Sequence, residues 1–427
     1  MTVKAFFSDQ AGAPVLNGSV GSLIKVLDAC LVEGFNQVNV SSMTRSGSTV
    51  TVTCATPHGY EDPGTTFWVQ NGVVNVAAIR GATQAEYNGD WPVTYVSPTV
   101  FTFDIGNATP ATPATGSIIT KRAPAGFSKP FADTNIGVYR SNDATGRRHY
   151  WQVIDDGTCP NRQNGVFAGC RGFEHMSSAT AGGGAYPSQN QVAWGQYLCK
   201  SSTADATARH WALYSDGKTV ILVLHPDKAG TDPATYSRVS DYSGVFGFGD
   251  LLSPAPDAYA SFCSADNSTS TVWHSATYTG LLSPAGGNNA SPNIAGFSSS
   301  YPGSIAVARS WSGVQSAAFP CAVIGMGYSQ PECIGKKAHL MYPDALSNRY
   351  FLGQLTIFEP NTQGAVMRGA LPLYEGGCGP VHTNREIIEH VVGREGRKFQ
   401  YIAAGARNRA IGGAYIDLTG DQSGKWS

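Results

Sequence analysis

The fold of this chain is decided by residues 211–224, Trp211-Ala-Leu-Tyr-Ser-Asp-Gly-Lys-Thr-Val-Ile-Leu-Val-Leu224. Two apolar runs, rich in aromatic and β-branched residues, flank Asp216-Gly217, a dipeptide typical of tight turns between antiparallel strands. The stretch therefore predicts a β-hairpin. Further strand patterns lie at 3–7, 136–140, 149–154, 192–198, 304–307, 352–358, 398–403 and 414–418. Because helical periodicity is scarce, we expect a mainly β protein.

One segment near the N-terminus has helical periodicity. Leu23, Leu27, Cys30 and Leu31 recur at the spacing of a single helical stripe. Ser22 is suited to cap the first turn, and Gly34 is suited to end the helix. We therefore expect one short helix over residues 22–34.

Residues 41–122 have a different character. Thr49-Val-Thr-Val-Thr-Cys54 alternates with a period of two, and strand patterns follow at 65–70, 73–79, 93–96 and 99–103. Asn71-Gly72 and Asn88-Gly89 predict tight hairpins between them. Five or six short strands in so few residues predict a small barrel or sandwich. We expect residues 1–40 and 123–427 to form one discontinuous main domain, with 41–122 as an inserted β-barrel-like module and an overall β-sandwich/barrel architecture.

Composition excludes several classes of protein. Only 14 % of the 427 residues are charged and the net charge is -1, whereas about 25 % charged residues is typical. This balance gives no attraction to nucleic acid or to an anionic membrane. No apolar run is long enough for a transmembrane helix, and the N-terminus lacks a signal-peptide pattern. We expect no nucleic-acid partner, no membrane insertion, and synthesis in a cytoplasm.

Nine cysteines lack the C-x-x-C spacing of zinc ribbons and redox motifs. Two interpretations stay open. Either they are small buried apolar residues, or close pairs such as Cys159/Cys170 and Cys321/Cys333 oxidise outside the cell.

Catalytic signatures are missing from the sequence. The motifs G-x-S-x-G, G-x-G-x-x-G and H-E-x-x-H do not occur, so we predict no catalytic, cofactor-binding or metal-binding residues. Asp155-Asp156 after a strand is half of the carboxylate pair that glycoside hydrolysis needs. The same residues, followed by Gly157, also fit a turn, and the nine histidines fit structural roles.

Aromatic residues in long loops are candidates for surface contacts. The stretches 176–190, 226–243 and 280–304 are rich in Gly, Ser, Pro and Asn and are predicted as loops. They carry or adjoin the candidate contact residues Tyr186, Tyr236, Tyr242 and Tyr301. Tyrosine offers a large contact area to a sugar or a protein partner, but these rings would equally well cover their own core.

Scattered blocks over most of the chain resemble tail or virion proteins of tailed bacteriophages. The N-terminal block is Ala13-Pro-Val-Leu-Asn-Gly18 followed by residues 21–35, and further blocks lie at 123–127, 135–141, 171–174, 246–250, 368–374 and 396–399. The module at 41–122 resembles a small β module of phage tail proteins, through residues 56–60, 80–82, 87–89 and 99–104. The resemblance implies no catalytic residues.

The resemblance implies a structural subunit of a tailed-phage virion, in the tail, baseplate or collar. Its expected partners are copies of itself and other phage tail, neck or baseplate proteins, and its expected location is the virion. Two alternatives remain. The loop tyrosines would suit a receptor-binding protein that contacts host cell-surface glycan, and Asp155 with Asp156 would suit an envelope polysaccharide hydrolase.

Overall fold

The computed structural model describes residues 3–63, 74–159, 165–186, 196–229, 244–265, 304–309, 313, 320–323, 352–361, 364–376, 384–391, 393–402 and 414–420. These residues form a mainly β protein with one short N-terminal α-helix, as the sequence predicts. Their strands make a closed six-stranded barrel, a six-stranded sheet and a path of twelve hydrogen-bonded strands.

The N-terminal segment contains strand β1 (Lys4–Phe7) and helix α1 (Ser22–Leu27), which continues as a π-helical turn over Asp28–Glu33. The predicted apolar stripe is fully buried. The helical segment ends at Gly34 as predicted, where a φ of 76° suits a residue without a side chain.

The predicted capping role of Ser22 is wrong. Ser22 is the first residue inside the helix, and its hydroxyl donates to the Asn17 carbonyl at 2.7 Å. The backbone N–H of Leu23 donates instead to Asp155 Oδ2 at 3.0 Å. The carboxylate that satisfies this helix end therefore comes from a residue far away in sequence.

The barrel closes in the order β2-β3-β6-β5-β4-β7. Its strands are β2 (Phe35–Ser46), β3 (Thr49–Cys54), β4 (Val76–Ala82), β5 (Gly89–Ser97), β6 (Val100–Asp104) and β7 (Gly116–Arg122). The inward side chains of Val50, Val52, Phe101 and Phe103 fill its interior. The barrel begins before the predicted module boundary at residue 41. The predicted strand at 65–70 and the turn Asn71-Gly72 lie outside the described residues.

Asn88-Gly89 does not form the predicted two-residue turn. Gly89 is the first residue of β5, and a 3-10 turn over Ala85–Tyr87 precedes it. The Asn88 side chain accepts from the Ala82 N–H at 3.0 Å and donates to the Ala82 carbonyl at 2.8 Å. The Asn88 side-chain amide bonds to both the N–H and the carbonyl of Ala82, as the backbone of a strand partner would. It thereby closes a connection between β4 and β5 that is longer than two residues.

The six-stranded sheet has the order β12-β11-β10-β9-β8, with β13 also pairing with β11. Its strands are β8 (Phe127–Asp133), β9 (Ile136–Ser141), β10 (Tyr150–Ile154), β11 (Val166–Met176), β12 (Gly182–Tyr186) and β13 (Gln196–Ser201). β12 lies inside the stretch 176–190 that the sequence predicts as a loop. Asp156-Gly157 belongs to the longer connection between β10 and β11, and is not a two-residue hairpin turn.

The twelve-strand path has the order β1-β14-β15-β16-β17-β18-β19-β20-β21-β24-β23-β22. Beyond β1 its strands are β14 (Arg209–Ser215), β15 (Thr219–Ala229), β16 (Gly244–Asp250), β17 (Ser261–Ala265), β18 (Ser304–Val307), β19 (Pro320–Val323), β20 (Gly353–Asn361), β21 (Gly364–Gly376), β22 (Ile387–Ile388), β23 (Phe399–Ile402) and β24 (Ala414–Asp417). The hairpin predicted from residues 211–224 is confirmed as β14–β15, which pairs Tyr214 with Ile221.

Two apolar cores lie on opposite faces of β14–β16. One face packs against α1 and the six-stranded sheet through residues such as Leu213, Leu222 and Trp151. On the other face, Tyr214 and Val223 pack with residues of β21, β23 and β24. The main body is therefore layered, with β14–β16 in the middle.

Candidate functional site

Tyr186 lies in the core and not on the surface, so its prediction as a contact residue is wrong. It is 2 % exposed, and its hydroxyl lies 3.3 Å from His149 Nδ1. Its ring covers Gly172, its strand partner, where an added Cβ would overlap the ring. The missing side chain at Gly172 makes room for this burial. Tyr236, Tyr242 and Tyr301 lie outside the described residues.

The two candidate catalytic carboxylates both hold the fold together. Asp155 Oδ1 lies 2.5 Å from Lys200 Nζ, and Oδ2 accepts from Leu23. Asp156 Oδ1 accepts from the backbone N–H and the hydroxyl of Thr158, which is the turn arrangement. Each carboxylate is therefore engaged in contacts that stabilise its own part of the fold.

The ammonium of Lys200, on β13, links the residues at the start of the helix to the six-stranded sheet through hydrogen bonds. Its Nζ also donates to the Ser19 carbonyl at 2.6 Å and contacts Ser22 Oγ at 3.3 Å. Burial raises the pKa of the Asp155 carboxyl and lowers the pKa of the Lys200 ammonium, and the attraction between them opposes both shifts. A serine beside a lysine can act as a nucleophile, but Ser22 is buried and donates to a backbone carbonyl. We therefore assign Ser22, Asp155 and Lys200 a structural role, in which they hold the start of the helix against the six-stranded sheet.

His210 and His225 form a histidine pair that no sequence motif predicts. They are strand partners on β14 and β15, with ring centroids 6.4 Å apart, and line a small polar cavity with Asn384 and Arg385. They are paired because residues 216–219 connect Ser215 with its strand partner Val220, a register that the Asp216-Gly217 pattern alone does not specify. In the described ranges, no three His, Cys, Asp or Glu side chains gather as a metal-binding group.

The outer face of the barrel carries an ordered set of hydroxyl groups, which we name the threonine wall. Adjacent strands pair Thr44 with Thr51, Thr51 with Thr102, and Thr102 with Thr94, so that one row crosses four strands. A second row pairs Ser42 with Thr53. The wall consists of Ser42, Thr44, Thr51, Thr53, Thr94 and Thr102.

The wall is uncharged and partly or fully open to solvent. Thr44 and Thr94 are exposed, whereas Thr51 and Thr102 in the middle of the row are half-buried. Neighbouring strands lie about 4.8 Å apart, and residues two apart along a strand about 6.7 Å, so the hydroxyls form a regular grid. Cross-strand threonine pairs also stabilise the sheet. The alternation of residues 49–53 predicts one line of threonines, but only the register joins the four strands.

The fold and this surface define a mainly β protein with a closed barrel module that bears an uncharged outer wall. No protein-family model and none of the curated proteins matches the chain. Within the described ranges, no helix combines the length and hydrophobicity that crossing a bilayer demands.

Proposed function

We propose that the chain is a structural subunit of a tailed-bacteriophage virion, located in the tail, baseplate or collar. It acts by contact with copies of itself and with other virion proteins. The observation that carries the proposal is the threonine wall, a row of uncharged hydroxyl side chains that crosses four strands of the barrel. The blocks of sequence that resemble phage tail proteins support the same function.

Charge distribution supports a contact surface at the wall. The centres of protein interfaces are depleted of charged residues, because desolvating a charge is costly. Several charged groups of the described residues are instead used inside the fold, as in the Asp155–Lys200 and Arg122–Glu61 ion pairs. In a symmetric assembly, the same weak contact is repeated at every subunit, and avidity follows from the repetition.

The attachment of the barrel also supports this function. Phe35 at the start of β2 and Arg122 at the end of β7 are strand partners. Both chain connections between the barrel and the main body therefore leave from the same rim of the barrel. The threonine wall lies on strands β2, β3, β6 and β5, away from the side formed by β4 and β7.

The proposal is tested by quantitative mass spectrometry of purified virions and by light scattering of the isolated chain. We expect a fixed copy number per particle and an oligomer, or assembly upon addition of partner proteins. Thr51→Lys with Thr102→Lys places two positive charges at the centre of the wall and is expected to reduce assembly at least tenfold. Ser117→Lys, on the exposed outer face of β7, is the matched control and should assemble normally.

Three results would refute the proposal. The first is absence of the chain from mature particles. The second is unchanged assembly of the doubly substituted protein. The third is hydrolysis of envelope polysaccharide by the purified chain. A glycan-array signal that the same two substitutions abolish would instead favour the receptor-binding alternative.

A further inference from the structure

Two buried cysteines face each other between the sheets of the main body. Cys170 lies on β11 of the six-stranded sheet and Cys263 on β17 of the twelve-strand path, and they are 1 % and 0 % exposed. Both belong to the apolar core that joins these two layers. They are separate thiols in the structure.

Strand register and a neighbouring ring pair place the two thiols opposite each other. Phe248 is the strand partner of Cys263, and its ring stacks on Trp151 across the layers, with centroids 5.6 Å apart and 5° between the planes. Trp151 is in turn the strand partner of Gly172, two residues beyond Cys170. The contact between the layers at Trp151 and Phe248 thus sets the position of the cysteines.

The two thiols lie close enough to interact electrostatically, and the Cys263 thiol lies near the backbone N–H of Gly172. A disulfide requires closely spaced Cα atoms and Cβ atoms that point towards each other. Strands β11 and β17 contact each other across the layers, and both cysteines lie in the apolar core at this contact.

We propose that Cys170 and Cys263 are a covalent cross-linking site, which forms a disulfide between the two layers when the protein meets a small disulfide oxidant such as oxidised glutathione. One cysteine thiolate attacks a glutathione sulfur and releases one glutathione thiolate. The second cysteine then attacks the mixed disulfide and releases the other. Two protein thiols are oxidised, one glutathione disulfide is reduced, and the two protons go to the released thiolates.

The structure gives Cys170 a partner other than the one the sequence suggested. Cys159 packs with Phe167, Tyr197 and Cys199 in a separate apolar cluster. On β11, Phe167 contributes to that cluster, whereas Ala168 and Cys170 contribute to the core between the layers. The sheet therefore separates Cys159 from Cys170, which favours the interpretation of Cys159 as a small buried apolar residue. Cys333 lies outside the described residues, so the Cys321/Cys333 pair stays a prediction.

Burial controls the rate of the reaction. It raises the pKa of the Cys263 thiol well above its ordinary value, so little thiolate forms while the layers are packed. We expect slow oxidation of the native protein and fast oxidation when refolding proceeds with oxidised glutathione present. This inference does not depend on the proposed function.

The test treats the full chain with oxidised glutathione, in a native arm and in a refolding arm. Free thiols are then alkylated, and the protein is digested without reduction for mass spectrometry. We expect a cross-linked peptide that joins Cys170 to Cys263, two fewer alkylated cysteines than the nine present, and a higher urea midpoint of unfolding. Cys263→Ala is expected to lose the cross-link and the shift in midpoint, whereas Cys30→Ala retains both.

Separate alkylation of Cys170 and Cys263 in both arms would overturn the proposal. So would a cross-link that joins either of them to another cysteine. A Cys159–Cys199 cross-link formed while Cys170 and Cys263 remain alkylated would likewise contradict it.

Discussion

Phe35 and Arg122 are strand partners at the rim of the barrel, and the Arg122 guanidinium lies 5.8 Å from the centre of the Phe35 ring. The guanidinium is buried and donates to both carboxylate oxygens of Glu61, at 3.0 and 3.1 Å. It also donates to Asn75 Oδ1 and the Gly59 carbonyl. Arg122 thus joins the last strand of the barrel to the segment that follows β3.

Arg122→Met is expected to destabilise the barrel by about 3–5 kcal/mol, because it leaves the Glu61 carboxylate buried without its cation. Hydrogen exchange with mass spectrometry should show faster exchange in β3, β4 and β7. Arg80→Ala is the control, since Arg80 pairs with Asp90 at an exposed site, and it should cost about 1 kcal/mol or less. Equal effects of the two substitutions on stability would contradict a stabilising role for the Arg122–Glu61 ion pair.

The adjacent positions of Phe35 and Arg122 predict that the barrel can be removed. Strand partners have Cα atoms about 5 Å apart, so a Gly-Ser-Gly linker can replace residues 36–122. The core between α1 and the six-stranded sheet contains Phe35 but no other residue of the barrel strands. We expect the shortened chain to keep exchange protection in β10 and β11, and loss of that protection would show that the main body needs the barrel.

Local features of this fold could be predicted from the sequence. The alternation of residues 49–54 gave both the strand and the face on which its threonines lie, because side chains alternate across a strand. The apolar runs that flank Asp216-Gly217 gave the β14–β15 hairpin, but its register pairs Ser215 with Val220 and leaves four residues in the connection. The helical stripe of Leu23, Leu27, Cys30 and Leu31 gave the helix, since its spacing is local.

Features that depend on distant residues could not be predicted in this way. Barrel closure needs the pairing of β2 with β7, and the helix end needs Asp155, whose local sequence indicates only a catalytic or turn residue. The threonine wall needs the register of four strands. In each case the partner is chosen by packing, which no local pattern encodes.

The Asp155–Lys200 pair is expected to show strong energetic coupling. Lys200→Met leaves a buried carboxylate, and Asp155→Asn leaves a buried ammonium, so each single change should cost about 3–5 kcal/mol. In the double variant the introduced amide oxygen can still accept from the Leu23 N–H, so the double change should cost clearly less than the sum. Chemical denaturation of the four proteins measures the coupling. Asp156→Asn is the control and should behave independently, whereas additivity of Asp155→Asn and Lys200→Met would contradict the pairing.

His58 makes the stability of the barrel depend on pH. Its Nδ1 accepts from the Tyr60 N–H at 3.0 Å, and its Nε2 lies 2.8 Å from the Ser97 carbonyl, so the neutral ring has both nitrogens satisfied. Burial lowers the pKa of His58 below its ordinary 6.5; nearby Arg122 acts in the same direction, while the Ser97 bond and Glu61 oppose it. A second ring proton would displace the Tyr60 N–H.

The sign of the effect follows from proton linkage. Below pH 6.5 the unfolded chain binds a proton at residue 58 that the folded barrel does not, so the free energy of unfolding falls as the pH falls towards the folded pKa. Well above pH 6.5 the ring is neutral in both states, and His58 contributes no pH dependence. Exchange protection of barrel peptides, corrected for intrinsic exchange, should therefore decrease between pH 7 and lower values. His58→Gln should flatten this dependence, while His149→Gln, in the main body, should leave it unchanged; an equally steep profile in His58→Gln would assign the effect to other groups.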